Sequence, residues 1–94
     1  MEDQTFIIYS ESSLTLKGEI RDGCLHLTSE VWSGGYDSEQ YIDFSKENTD
    51  KLFSLLSLKE FICMCQKVHL LGLAKYLDEK GIERSTFTWS DDDD

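Results

Sequence analysis

The sequence predicts an α+β domain in which an antiparallel sheet of about four to five strands carries two to three helices packed on one face. Three features lead there. Asp22-Gly23 is a two-residue turn signal between stretches that alternate apolar and polar residues. Ser57 to Ile82 holds the largest apolar block of the chain and carries helix-capping residues at both ends. Arg84 to Trp89 then reverts to strand-type residues. Strands, then helices, then a strand is the order of an α+β domain with helices on one side of the sheet.

Thr5 to Tyr9 is β-branched and aromatic, which suits a first strand. Ser10 to Ser13 is polar and turn-prone. A type I′ turn at Asp22-Gly23 needs positive φ at both positions, and it fixes the register of the hairpin around it. Arg21 then faces Cys24, Ile20 faces Leu25, Gly18 faces Leu27, Leu16 faces Ser29 and Leu14 faces Val31. One face collects Leu14, Leu16, Ile20, Leu25, Leu27 and Val31. The other collects Thr15, Lys17, Glu19, Arg21, His26, Thr28 and Glu30. A slip of one residue in either strand would destroy this sorting. Trp32 continues the strand on the polar face, and Ser33-Gly34-Gly35 is a turn. Tyr36 to Phe44 forms the next strand, with Ile42 and Phe44 inward and Glu39, Tyr41 and Asp43 outward. An antiparallel meander with one wet face results.

Ser45 is placed to cap a helix, and Glu47 in its first turn complements the helix dipole. Leu52, Leu55 and Leu56 recur at helical spacing with Phe53 beside them, and Glu47 and Lys51 are set for an i,i+4 pair. Ser57-Leu58-Lys59-Glu60 is a capping box, with Leu56 and Phe61 at the positions of a hydrophobic staple. Gly81 and Ile82 read as a Schellman ending, Ile82 folding back on Leu77. Gln66-Lys67-Val68-His69 breaks the amphipathic period, so a bend or short break is expected there. Residues 1–89 form one domain, and the acidic run 90–94 is expected to be a disordered tail.

The chain has 94 residues and a net charge of −10, from 19 acids against 9 bases. A domain of this size buries roughly 65% of the surface of its unfolded chain, enough for one modest core. Such charge repels nucleic-acid backbones and anionic membrane surfaces, so no direct nucleic-acid contact and no membrane association are expected. It favours a basic protein partner, or serves solubility alone. The acidic N-terminus lacks the basic and apolar regions of a signal peptide, which points to a cytoplasm. A monomer or weak homodimer fits the same reading. The three cysteines, Cys24, Cys63 and Cys65, are expected as free thiols. On a helix the two members of the Cys63/Cys65 pair point about 200° apart, which prevents a shared metal unless the helix is broken.

Catalytic patterns are weak. Gly34-Gly35 precedes a strand, where a phosphate loop needs a helix. His26 faces Glu19 with Glu30 further along, a layout open to general-base chemistry but commoner as a cross-strand pair. His69 near Cys65 lacks a third orienting residue, and Cys63, Cys65 and His69 lack a fourth metal ligand. No catalytic, cofactor or metal site is expected, and no cofactor is called for.

The informative feature is aromatic residues on the wet face. Trp32 and Tyr41 fall there, Tyr36 lies in the connecting turn, and Glu30, Asp37, Glu39 and Asp43 surround them. Trp and Tyr dominate binding hot spots, and surrounding acids select a basic partner. Alternatively, Trp32 and Tyr41 cover each other across the strands, or lie under the first strand or the tail. In size, acidity, element order and this aromatic-acidic face, the chain resembles the small acidic immunity proteins that bacteria encode beside secreted toxins. The resemblance implies stoichiometric inhibition of a toxin through a tight protein contact and carries over no residue roles. A nucleic-acid mimic or regulatory adaptor is the alternative function, and a small enzyme is a third.

Overall fold

Five antiparallel strands lie side by side in chain order, β1 (Gln4–Ser10), β2 (Leu14–Arg21), β3 (Cys24–Ser33), β4 (Tyr36–Asp43) and β5 (Ser85–Asp91). Helices α1 (Lys46–Leu55) and α2 (Leu58–Glu79) are inserted between β4 and β5 and pack on one side of the sheet. The computed structural model describes residues 2–33 and 36–91, apart from the side chains of Ser33, Tyr36, Ser90 and Asp91. The expected turn at Gly34 and Gly35 lies outside the described residues. So do residues 92–94 of the expected tail, whereas Ser90 and Asp91 continue β5. Pairing with Ser38 and Asp37 of β4 draws those two residues into the ladder. Tyr36 opens β4, as the reading of a strand from Tyr36 to Phe44 has it, and pairs with Ser33 instead of lying in the connecting turn.

The β2–β3 register matches the one that Asp22-Gly23 dictates, from Arg21 opposite Cys24 to Leu14 opposite Val31. Both turn residues have positive φ, 54° at Asp22 and 79° at Gly23. Leu16, Ile20, Leu25 and Leu27 are fully buried, each contributing about 2 kcal/mol of hydrophobic stabilisation. Val31, expected inside with them, remains 37% exposed. β1 enters the sheet through a bulge between Ile7 and Tyr9, which turns Ile8 into the core.

Ser45 caps α1, its hydroxyl accepting from the Asn48 amide at 3.2 Å. The buried stripe of α1 differs from the expected one. Thr49 and Leu52 are buried, Phe53 and Leu56 are half-buried against the core, and Leu55 points outward. Thr49 holds its inward place through chemistry, because its hydroxyl accepts the Leu25 amide at 2.9 Å and satisfies a buried donor. The expected Glu47–Lys51 pair is replaced. Lys51 donates to the Gly81 carbonyl at 2.9 Å, beyond the end of α2, and Lys46 pairs with Asp50. A carbonyl at a helix C-terminus competes well for an ammonium group.

The Ser57 capping box is complete, with Glu60 N–H donating to the Ser57 hydroxyl at 3.1 Å and Ser57 N–H donating to the Glu60 carboxylate at 3.0 Å. At the other end Gly81 has φ 67°, and Ile82 N–H donates to the Leu77 carbonyl at 2.9 Å as a Schellman ending requires. The expected break lies at His69, with φ 58° and ψ −167°. Its purpose is visible in the core. Phe61 and Cys65 are buried before it and Leu73 and Leu77 after it. In an unbroken helix Phe61 and Leu73 would point about 120° apart. The break lets both face the sheet. The loop after α2 is anchored to α1 by the Glu83 amide, which donates to Asn48 Oδ1 at 3.0 Å. That anchor sets the direction in which β5 starts.

Candidate functional site

The side of the sheet opposite the helices is open, and residues that pair directly across strands share it. Four rows cross it. Trp32 lies beside Asp37, which pairs with Asp91. Thr15, Glu30, Glu39 and Trp89 form the next row, then Lys17, Thr28, Tyr41 and Phe87, then Glu19, His26, Asp43 and Ser85. Trp32 and Trp89 are 40% and 45% exposed, and Phe87 is 61% exposed. Trp32 and Tyr41 lie in separate rows and do not cover each other. β1 is separated from Trp32 by β2 and does not overlie it.

The expected site residues divide between two hollows. A depression of about 310 Å³ is lined by Trp32, Trp89, Glu30, Asp37 and Glu39. A broader concavity of about 760 Å³ is lined by His26, Asp43, Tyr41, Lys17, Arg21 and Ile7, among others. Tyr41 and Asp43 therefore stand apart from the tryptophan pair. Tyr36 belongs to β4 at the Trp32 end, and its side chain lies outside the described residues.

Charge is balanced differently in the two hollows. In the broad one His26 and Arg21 pair internally, whereas Lys17 reaches toward the other hollow. His26 Nδ1 and Asp43 Oδ1 are 2.7 Å apart, and Arg21 Nε lies 3.5 Å from Glu19. The His26 partner is thus Asp43 on β4, whereas sequence spacing favoured Glu19. Lys17 crosses to Glu30 at 2.9 Å. The Tyr41 hydroxyl donates to Glu39. That bond, aided by desolvation and the Glu39 and Glu30 charges, holds the Tyr41 phenol above its ordinary value. The tryptophan hollow has a less settled arrangement. Glu30 and Glu39 face each other directly across the strands, with Lys17 paired to Glu30 and the Tyr41 hydroxyl bonded to Glu39, so the hollow keeps a net negative charge. Asp37 makes no ion pair among the described residues.

Cys63 is exposed and Cys65 is buried in the core, on different sides of α2. Burial pushes the Cys65 thiol up to about 12, which makes it a poor nucleophile and a poor ligand. His69 packs edge-on against Tyr9 with centroids 5.4 Å apart. Among the described residues no group of His, Cys, Asp and Glu side chains is placed to hold a metal ion. No helix among them is long and apolar enough to cross a membrane.

Sequence reasoning missed Phe87 and Trp89. Both were read as strand residues, but their alternation alone does not say which edge of the sheet β5 joins. Pairing with β4 puts Trp89 beside Glu39 and Phe87 beside Tyr41, with ring centroids 6.1 Å apart. Comparison with protein-family models, with curated proteins and with solved structures gives no significant match.

Proposed function

We propose that the protein is a protein-binding module that holds a basic partner against the Trp32–Trp89 hollow, acting stoichiometrically as an inhibitor or immunity-type protein does. The carrying observation is a hollow in which Glu30, Glu39 and Asp37 lie beside two half-exposed tryptophans, with Lys17 as the one cation paired to these acids among the described residues. A lysine or arginine entering there balances the excess negative charge, and the indole rings exclude water around it. Where the basic surface of the partner is its working surface, occupancy inhibits it.

The test begins with the protein that co-purifies at low salt from the native host and proceeds by surface plasmon resonance with that partner. Trp32→Ala and Trp89→Ala should each speed dissociation and cost about 2 kcal/mol of affinity or more. Asp37→Asn and Glu39→Gln should mainly slow association, and wild-type association should slow as salt rises. Urea melts run alongside separate lost binding from lost folding. Unchanged rates in all four folded variants would remove the hollow from consideration.

A further inference from the structure

The two edges of the sheet, β1 and β5, are finished differently. The hydrogen-bond phase across the sheet follows from two bonds at strand ends. Phe44 N–H donates to the Leu25 carbonyl at 2.9 Å, and Trp32 N–H donates to the Ser13 carbonyl at 3.0 Å. In antiparallel sheets, residues whose peptide groups point to one neighbour alternate with residues pointing to the other. Even-numbered residues of β4 thus bond to β3. Asp37, Glu39, Tyr41 and Asp43 bond to β5, at Asp91, Trp89, Phe87 and Ser85. The peptide groups of Thr86, Thr88 and Ser90 are left pointing off the sheet.

On β1 the same phase leaves Thr5 and Ile7 pointing outward, and then the ladder is interrupted. The bulge follows Ile7, and the Gln66 side chain donates to the Ile8 carbonyl at 2.8 Å. Bulges and covering groups are ways of closing an edge. Among the described residues no side chain hydrogen-bonds to the β5 backbone. β4 and β5 together contain Asp37, Glu39, Asp43 and Asp91 and no lysine or arginine. The open edge is therefore also the acidic one, and it displays Phe87 and Trp89.

We infer that β5 receives an extended, basic segment of the partner as a sixth strand. The inference rests on the proposed reading of the wet face as the binder of a basic protein, and it specifies how that partner docks. Main-chain bonds to Thr86, Thr88 and Ser90 supply the common attachment, and alternate side chains supply selectivity. Lysine or arginine on the wet side lies over Phe87 and Trp89, near Glu39. Small or β-branched residues fit the other side, beside Thr86 and Thr88.

The probe is an acetylated, amidated nonapeptide alternating lysine and valine, with a glutamate–valine peptide as its control. Binding is read by tryptophan fluorescence and by hydrogen exchange at low salt. The lysine peptide should bind, the glutamate peptide should not, and exchange at the Thr86 and Thr88 amides should slow at least tenfold. Thr88→Pro removes an outward N–H without removing a bond to β4, and it should weaken binding at least tenfold. N-methylation of alternate valines should do the same on unaltered protein, which keeps the test sound if the proline variant unfolds. Equal binding of the two charge types, an unprotected Thr86 and Thr88, or no binding by the lysine peptide overturns the inference. Protection at Thr5 and Ile7 would move the strand to β1 and overturn it as well. Protection of Thr86 and Thr88 without peptide, rising with protein concentration in step with sedimentation, would assign the edge to a second copy of the chain. If the N-methylated peptide binds undiminished but Trp89→Ala abolishes binding, strand addition falls and the binding face stands.

Discussion

The helical layer and the sheet carry very different charge. Residues 46–84, which hold both helices, contain six acids and seven bases. The five strands contain six acids and two bases, Lys17 and Arg21. The helices also expose one face to water, so charge serving solubility alone has no reason to avoid them. Their ions are spent on structure. Lys51 holds the Gly81 carbonyl, Arg84 meets Asp78 at 2.6 Å and Glu60 completes a cap. The sheet concentrates acid on the side opposite the helices, where Glu30, Glu39 and Asp37 have Lys17 as their one paired cation among the described residues. One layer is organised for folding, and the other carries excess negative charge on a surface left open.

Four measurements can break or sharpen this contrast. The largest effect belongs to the sheet's inner face. Leu16→Asp buries an unpaired charge and should cost about 4 kcal/mol or more in a urea melt, whereas its exposed neighbour Lys17→Asp should stay within about 1 kcal/mol. Equal losses would mean that the two faces do not differ. Thr49→Val keeps the shape but orphans the buried Leu25 amide, so chemical denaturation should show a loss of about 2 kcal/mol. No loss would show that the helix is held by apolar packing alone.

The cap of α2 comes next. Ser57→Ala should lower stability by about 1 kcal/mol at neutral pH. Its pH dependence has a definite sign. The Ser57 amide, and then its hydroxyl, hold the Glu60 carboxyl below its ordinary value. A carboxyl depressed in the folded state contributes stability that is present above the unfolded value and lost as pH falls through the folded one. The gap between wild type and Glu60→Gln should therefore narrow in acid, and a gap constant across a pH series of melts would break this account. The smallest perturbation is a label. At about pH 8, iodoacetamide should modify exposed Cys63 at least about a hundredfold faster than Cys65, read by peptide mass spectrometry. Comparable rates would show that α2 opens readily at its break.

Local chemistry was legible wherever two signals agreed. Asp22-Gly23 and the flanking alternation specify the same hairpin, and Ser57 with Glu60 and Gly81 with Ile82 bound the same helix. The break near His69 was also legible, because the polar run Gln66-Lys67 interrupts the apolar period. Leu55 misled, since a leucine at helical spacing looks buried, while the inward residue Thr49 is polar and is recognised only through its bond to the Leu25 amide. The outward positions of Trp32, Tyr41, Glu39 and Asp43 followed from strand parity. Their division between two hollows did not, because parity gives a face and says nothing of position along it.

The sequence by itself determined the elements, their caps, the β2–β3 register and which side of the central strands faces water. Each of these depends on residues a few positions apart, or on a turn that fixes its own flanks. Only the tertiary structure decided that β5 joins β4, and so placed Trp89 beside Glu39 and opposed His26 to Asp43 across β3 and β4. Residues 44–84 separate β4 from β5, and edge choice over that distance is set by how α1 and α2 lie on the sheet. The bond from Glu83 to Asn48, the kink at His69 and the buried faces of both helices set that arrangement jointly. No short stretch of sequence carries a long-range choice made by packing, which is why half of the aromatic hollow became visible only in the folded chain.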